Sequence, residues 1–106
     1  MVARIIVPAN IAVNKPFEVR ILIQHPMETG FRQDMMGSLI AKNVIRSLSV
    51  TFNSEVVFKG SLGTGIAANP SLQFWMKASQ SGTLKMIWED DLGVIGEIEK
   101  SIEIKV

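Results

Sequence analysis

The chain has 106 residues, 47% of them apolar and 20% charged, which is the composition and size of one folded domain rather than of a disordered segment. Eleven Lys and Arg against ten Asp and Glu leave a net charge of +1, and the basic residues are scattered singly, so there is no electrostatic case for nucleic acid binding. The lack of cysteine excludes disulfides, thiol nucleophiles and cysteine-based metal sites.

Seven runs with period-two alternation of apolar residues follow one another along the chain. Successive side chains of a strand point to opposite faces, so each run places one apolar face on a core. The predicted strands are Arg4–Val7, Phe17–Gln24, Val44–Phe52, Glu55–Lys59, Leu72–Ala78, Leu84–Trp88 and Ile98–Val106.

Turn-forming residues separate these runs, for example at Asn14-Lys15-Pro16, Asn53-Ser54 and Ser81-Gly82. No stretch shows a sustained helical period. Short strands with frequent turns predict an all-β fold, an immunoglobulin-like antiparallel sandwich spanning residues 1–106 as one domain. An open barrel is the alternative architecture.

Two breaks between the predicted strands are long, His25–Asn43 and Gly60–Ser71. Loops of this length in compact domains are usually functional or mobile. We expect the first loop to pack against the sandwich and to form a partner-binding surface together with Ala68-Asn69-Pro70, and at most one short helical turn in these loops.

The residues offer little support for catalysis. His25, the only histidine, has no second nitrogen or thiolate ligand near it, so a structural hydrogen-bonding role is favoured over a metal ligand or a base. The glycines of Gly60–Gly65 lack the Gly-Lys-Ser/Thr ending of a phosphate loop and are read as turn residues. Asp90 and Asp91 are read as part of a hairpin turn, and the chain is predicted not to be an enzyme, with no cofactor and no metal.

No run reaches the 18 apolar residues of a membrane helix, and the first nine residues lack the pattern of a signal peptide. We therefore expect no membrane association. The residues alone are compatible with a cytoplasmic protein or with one exported by a route that the sequence does not encode.

Several motifs together resemble one known family. His25-Pro26-Met27-Glu28-Thr29-Gly30 is similar to a segment of the Z subunits of the bacterial Sox system, which oxidises thiosulfate. The resemblance continues in register through Ile45–Asn53, Ala68-Asn69-Pro70 and Trp88–Gly93. It spans nearly the whole chain.

This resemblance implies a fold, a partner and a location. Z subunits are immunoglobulin-like sandwiches that pair with a Y subunit, whose C-terminal cysteine carries covalent sulfur intermediates past the Sox enzymes. The Z chain supplies no catalytic group and would dock those enzymes transiently. It would reach the periplasm with its partner, without a signal peptide of its own.

Two other functions remain open from the residues. One is a generic immunoglobulin-like protein-binding module. The other is a periplasmic copper-binding protein that uses His25 with Met27, Met35 and Met36. Methionines also fill irregular gaps and adaptable binding surfaces, which favours the non-metal interpretation.

A register argument predicts a further part of the partner surface. If Gln80-Ser81-Gly82 is a three-residue hairpin loop, Trp75 lies beside Ile87 on the outer face, with Lys77 opposite Lys85. An exposed aromatic ringed by polar residues is typical of interfaces. The candidate partner-binding residues are therefore His25, Pro26, Met27, Glu28, Thr29, Gly30, Asn69, Pro70, Trp75 and Ile87.

Overall fold

The computed structural model describes residues 3–62 and 68–105, and within them it is all-β. The strands are β1 (Ala3–Ile6), β2 (Ile11–Ala12), β3 (Phe17–Ile23), β4 (Ile45–Phe52), β5 (Glu55–Gly60), β6 (Ser71–Met76), β7 (Gly82–Asp90), β8 (Ile95–Ile102) and β9 (Ile104–Lys105). No helix occurs in these ranges, so none of them contains a helix able to cross a membrane.

Two antiparallel sheets form the sandwich. The order of one is β1-β3-β6 and that of the other is β5-β4-β7-β8, while β2 and β9 form a short parallel pair. The seven predicted strands correspond to the seven long ones, which confirms the all-β sandwich. The two-residue strands β2 and β9 were not predicted as separate elements, and the predicted end of the last strand at Val106 lies outside the described residues.

Alternation along the central strands explains the core. In β3 the buried positions are Phe17, Val19, Ile21 and Ile23, and in β7 they include Leu84, Met86 and Trp88. Complete burial of side chains of this size stabilises a fold by about 1.5–3 kcal/mol each. These inward faces, from both sheets, make one continuous hydrophobic cluster.

Local irregularities place residues that do not fit the alternation. A register shift between Ile45 and Ser47 moves Arg46 away from the core. Its side chain is exposed and forms an ion pair with Glu89. Asn53 and Ser54, both with positive φ, make the two-residue turn between β4 and β5, whose twist matches that of a hairpin.

The predicted hairpin between β6 and β7 is wrong. β6 pairs with β3, and Trp75 lies opposite Glu18, whereas β7 pairs with β4 and β8. Residues 77–81 therefore cross from one sheet to the other instead of closing a tight turn. Lys85 lies opposite Glu99 in the register and forms an ion pair with Glu97, not a clash with Lys77.

The crossing separates the two residues that were expected to form one patch. Trp75 lies on the outer face of the three-stranded sheet and Ile87 on the outer face of the four-stranded sheet. Both are exposed, as expected, but they belong to opposite sides of the sandwich. A joint patch of Trp75 and Ile87 is therefore excluded.

Candidate functional site

The chain between β3 and β4 forms a two-stranded ribbon that leaves the sandwich. Bridges pair Glu28 with Asn43 and Gln33 with Leu39. The N–H of Glu28 donates to the carbonyl of Asn43 and the reverse bond is also made, both at 2.8 Å. Residues 28–43 are called the arm below.

The tip of the arm is held by Asp34. Its carboxylate oxygen Oδ1 accepts from the backbone N–H groups of Met36, at 2.9 Å, and Ser38, at 3.0 Å. The Asp34 N–H donates to the Ser38 carbonyl at 2.9 Å, and Gly37 supplies the positive φ that the turn needs. Met35 and Met36 are thereby fixed at the end of the ribbon.

Four large apolar side chains of the arm stand in solvent. Phe31 is 85% exposed, Met35 fully, Met36 89% and Leu39 65%. The molecule is 59 Å long, although its longest strand of nine residues accounts for only about 30 Å. The expectation that this loop packs against the sandwich is therefore wrong for residues 31–39, all of which are exposed.

The base of the arm is, by contrast, buried and hydrogen-bonded. Nδ1 of His25 accepts from the N–H of Met27 at 2.9 Å, so that nitrogen carries no proton. Nε2 lies 3.1 Å from Oδ2 of Asp90 and donates to it. The predicted structural hydrogen-bonding role of His25 is confirmed.

Asp90 joins this histidine to the turn between β7 and β8. Its Oδ1 accepts from the N–H groups of Leu92 and Val94, each at 3.0 Å, so the predicted turn is confirmed. Burial alone would raise the pKa of Asp90. The hydrogen bonds from His25, from the Val94 and Leu92 N–H groups and from Asn43 outweigh it and hold that pKa below its ordinary value.

Two further contacts complete the base. Asn69 donates its backbone N–H to the His25 carbonyl at 2.7 Å and accepts the His25 N–H on Oδ1 at 3.0 Å. Asp91 pairs with Val44 in the same reciprocal way, through its N–H at 3.0 Å and its carboxylate at 3.1 Å. His25, Asn69, Asp90 and Asp91 are called the base network below.

The base network unites three motifs that are distant in the sequence, residues 25–30, 68–70 and 88–93. Sequence analysis expected the first two motifs to lie together but did not place the third with them, and it missed Asp90 and Asp91 as parts of the site. One signal in the sequence pointed to this site: the pair Asn69-Pro70. Asn tolerates a positive φ, which Asn69 adopts in the structure.

The predicted partner-binding residues fall into different environments. His25, Met27 and Pro70 are buried, so they shape the base and do not present their side chains to a partner. Glu28, Thr29 and Gly30 are half-buried, and Pro26, Asn69, Trp75 and Ile87 are exposed. A partner-binding role for the accessible members stays a prediction.

The copper alternative finds no support in this geometry. Both ring nitrogens of His25 are used in internal hydrogen bonds, and the sulfur of Met27 accepts from the Ile45 N–H at 3.4 Å. Within residues 3–62 and 68–105 no group of three His, Cys, Asp or Glu side chains could hold a metal ion. The glycine-rich segment read as a turn extends into residues 63–67, outside the described part.

A solvent-exposed ion pair lies within the arm. Arg32 donates to the Glu28 carboxylate, with 3.1 Å between Nε and Oε2. This hydrogen bond lowers the pKa of Glu28 and raises the pKa of Arg32. Lys42 lies 3.9 Å from Asp91 and connects the other side of the arm to the base network.

Fold and site together define a small β-sandwich protein with a rigid base and a projecting apolar arm. The model of the family described as sulphur oxidation protein SoxZ matches residues 5–101. The chain belongs to the SoxZ family.

Comparison with solved structures gives the same fold. A superoxide reductase (neelaredoxin) from Ignicoccus hospitalis is 22% identical with a TM-score of 0.73, over 99% of this chain and 81% of that one. The sulfur carrier protein SoxY from Chlorobium limicola f thiosulfatophilum is 9% identical with a TM-score of 0.69, over 100% and 81%. A superoxide reductase from Nanoarchaeum equitans is 14% identical with a TM-score of 0.67, over 95% and 91%.

At these identities the likeness concerns the fold alone. Among curated protein sequences, none is a significant match.

Proposed function

We propose that this chain is the non-catalytic subunit of a two-chain sulfur carrier in thiosulfate oxidation, paired with a SoxY-like subunit. Membership of the SoxZ family carries the proposal. The chain has no cysteine and therefore cannot hold sulfur covalently on a thiol of its own. A second chain has to provide that thiol, and this chain would help to present it to the Sox enzymes.

The proposal includes a location and a set of contacts. The pair works in the periplasm and is exported together on the signal of the partner. The Sox enzymes dock on it transiently, while nucleic acid and membranes are not among its partners. The near-neutral net charge of +1 supports the last point.

Co-expression with a SoxY-family protein tests the pairing. Size-exclusion chromatography with light scattering should give a 1:1 complex at micromolar concentration. Mass spectrometry after incubation with thiosulfate and the Sox enzymes should then place added sulfur on the partner's cysteine and leave the mass of this chain unchanged. A Cys→Ser variant of the partner is the control, since it should bind this chain but acquire no sulfur.

Failure to form a complex would contradict the proposal. The location is tested by cell fractionation in the presence and absence of the partner's export signal. This chain should enter the periplasm only when that signal is present.

A further inference from the structure

We propose that the tip of the arm, made of Phe31, Met35, Met36 and Leu39, inserts into an apolar groove on the folded sandwich of the SoxY-like subunit. The inference rests on the proposed function and deepens it by assigning the surface that joins the two chains. Sequence analysis expected the loop 25–43 to contribute to the partner surface and named residues 25–30 within it, whereas the structure places the exposed apolar side chains further along, at the tip.

The first argument is the amount of apolar surface in water. If each of the four side chains offers on the order of 150 Å², the tip exposes roughly 600 Å². That is as large as the largest patch of a typical monomer and approaches the ~800 Å² that each partner contributes to a standard interface. Such a patch on a thin ribbon is therefore expected to be covered.

The second argument is that the tip is held in one conformation before binding. Asp34 closes the turn with two backbone hydrogen bonds, and the ribbon is fixed further down by the bond from the Ile40 N–H to the Arg32 carbonyl at 2.8 Å. A surface that is already ordered loses little conformational entropy on binding. The methionines add side chains that adapt to an irregular groove.

The third argument concerns the kind of partner. Each of the four charged side chains of the arm is engaged within the chain: Glu28 with Arg32, Lys42 with Asp91, and Asp34 with the turn. Between Gln33 and Leu39, Asp34 is the one charged side chain, and its carboxylate is held by the turn, so the surface of the tip is mostly apolar. Apolar interfaces of this kind are typical of permanent subunits, whereas transient ones are more polar.

The shape of the molecule also favours a SoxY-like subunit as the protein that covers the tip. A ribbon projecting from one end of the 59 Å molecule can reach around a neighbouring domain. The solved SoxY sandwich has the same fold over the whole of this chain, so it offers a domain of matching size. We therefore assign the tip to the permanent carrier subunit rather than to the Sox enzymes or to a second copy of this chain.

The test compares substitutions on three surfaces in the full chain. Phe31→Ser/Met36→Ser removes two side chains of the tip, Trp75→Ser changes the outer face of the three-stranded sheet, and Ile87→Ser that of the four-stranded sheet. The dissociation constant for a purified SoxY-family partner is measured by calorimetry. The double variant should weaken binding by at least about 100-fold, because two buried large apolar side chains are lost.

Both outer-face variants should bind within about threefold of the parent, as near-neutral positions do. All variants should keep the parent's thermal midpoint, since the substituted side chains lie on the surface in the free chain. A double variant that binds like the parent overturns the inference, and so does a loss of binding confined to Trp75→Ser or Ile87→Ser.

Two other results separate this inference from the proposed function. A parent chain that does not bind any SoxY-family protein overturns both. A parent chain that self-associates in light scattering, while Phe31→Ser/Met36→Ser is monomeric and still binds SoxY, retains the proposed function but assigns the tip to a second copy and overturns the inference.

Discussion

At the scale of single residues, buried polar groups determine where the arm leaves the sandwich. The His25 ring can satisfy the Met27 N–H and the Asp90 carboxylate at once only with its proton on Nε2. The ring therefore fixes the positive φ of Met27, whose side chain lies in the core. His25, which the sequence offered as a possible metal ligand, thus fixes the backbone just before the arm.

Replacing Asp90 with Asn should lower the free energy of unfolding by about 2 kcal/mol at pH 7, as expected when a buried hydrogen bond to a charged group is lost. The amide cannot restore that bond. With Oδ1 kept on the turn N–H groups, its NH₂ faces the Nε2–H of His25, so two donors meet. Urea denaturation of both proteins measures the difference.

The cost of this substitution should shrink in acid. The folded-state pKa of Asp90 lies below the ordinary 3.8, so as the pH falls the unfolded chain is protonated first. The stabilisation by the carboxylate is therefore complete above pH 3.8 and is lost as the pH falls through the folded-state value. In a His25→Gln background the substitution should cost less at pH 7, and an equal cost in both backgrounds and at every pH would contradict this account.

Gly96 is a second residue with a defined role. It lies opposite Trp88 in the pairing of β7 with β8, and the indole ring occupies the space where a Cβ would project. Gly96→Ala should therefore displace Trp88 from the core and lower the free energy of unfolding by about 1–3 kcal/mol. Gly60→Ala is the matched control, because its Cβ would meet Phe58 at an ordinary 3.8 Å. Similar stability of the two variants in urea would show that the indole can move at no cost.

At the scale of elements, the alternation of β3, β4 and β7 made those strands predictable. Their pairing was not, because period two is a local signal that says which face is buried but not which strand is adjacent. The segment Gln80-Ser81-Gly82 carries the residues of a hairpin loop, yet it belongs to a crossing between sheets.

The two-stranded, projecting structure of the arm was not predicted, for a related reason. Residues 31–39 have no buried face and hence no apolar period, so a ribbon looks like an irregular loop in the sequence. Its base was visible as three motifs, but their contacts join residues 44 and 65 positions apart. Such contacts are formed by the tertiary fold and leave no local pattern.

Removing the arm should change the shape of the molecule and not its stability. Replacing residues 30–41 by a four-residue Gly/Asn turn keeps the bridge between Glu28 and Asn43 as well as buried Met27 and Val44. The radius of gyration should fall from 16.2 Å towards the roughly 13 Å of a compact chain of about 100 residues. Small-angle scattering measures this change, and a urea midpoint far below that of the parent would mean that the arm supports the core.

At the scale of the whole molecule, three of the apolar surfaces on the described residues lie on different sides of one core. They are the arm tip, the outer face at Trp75, and the outer face of the four-stranded sheet at Ile87, whose shallow cavity is also lined by Ile95 and Lys59. The stacked rings of Phe58 and Phe74, 5.2 Å apart, link the sheets between β5 and β6. A partner on one outer face therefore leaves the opposite face free for another protein.

The pairing of β2 with β9 has a consequence for the order in which the fold forms. Ile11 lies beside Ile104, so this pairing closes a loop of more than ninety residues, although each strand has only two residues. Closing a loop of this length costs conformational entropy, and two short strands offer few contacts to offset that cost. The pairing of β2 with β9 should therefore form after the folding transition state. Ile104→Ala should then accelerate unfolding and leave the refolding rate nearly unchanged in stopped-flow experiments. A slower refolding rate would instead place this contact in the nucleus, and the two distant parts of the chain would have to meet first.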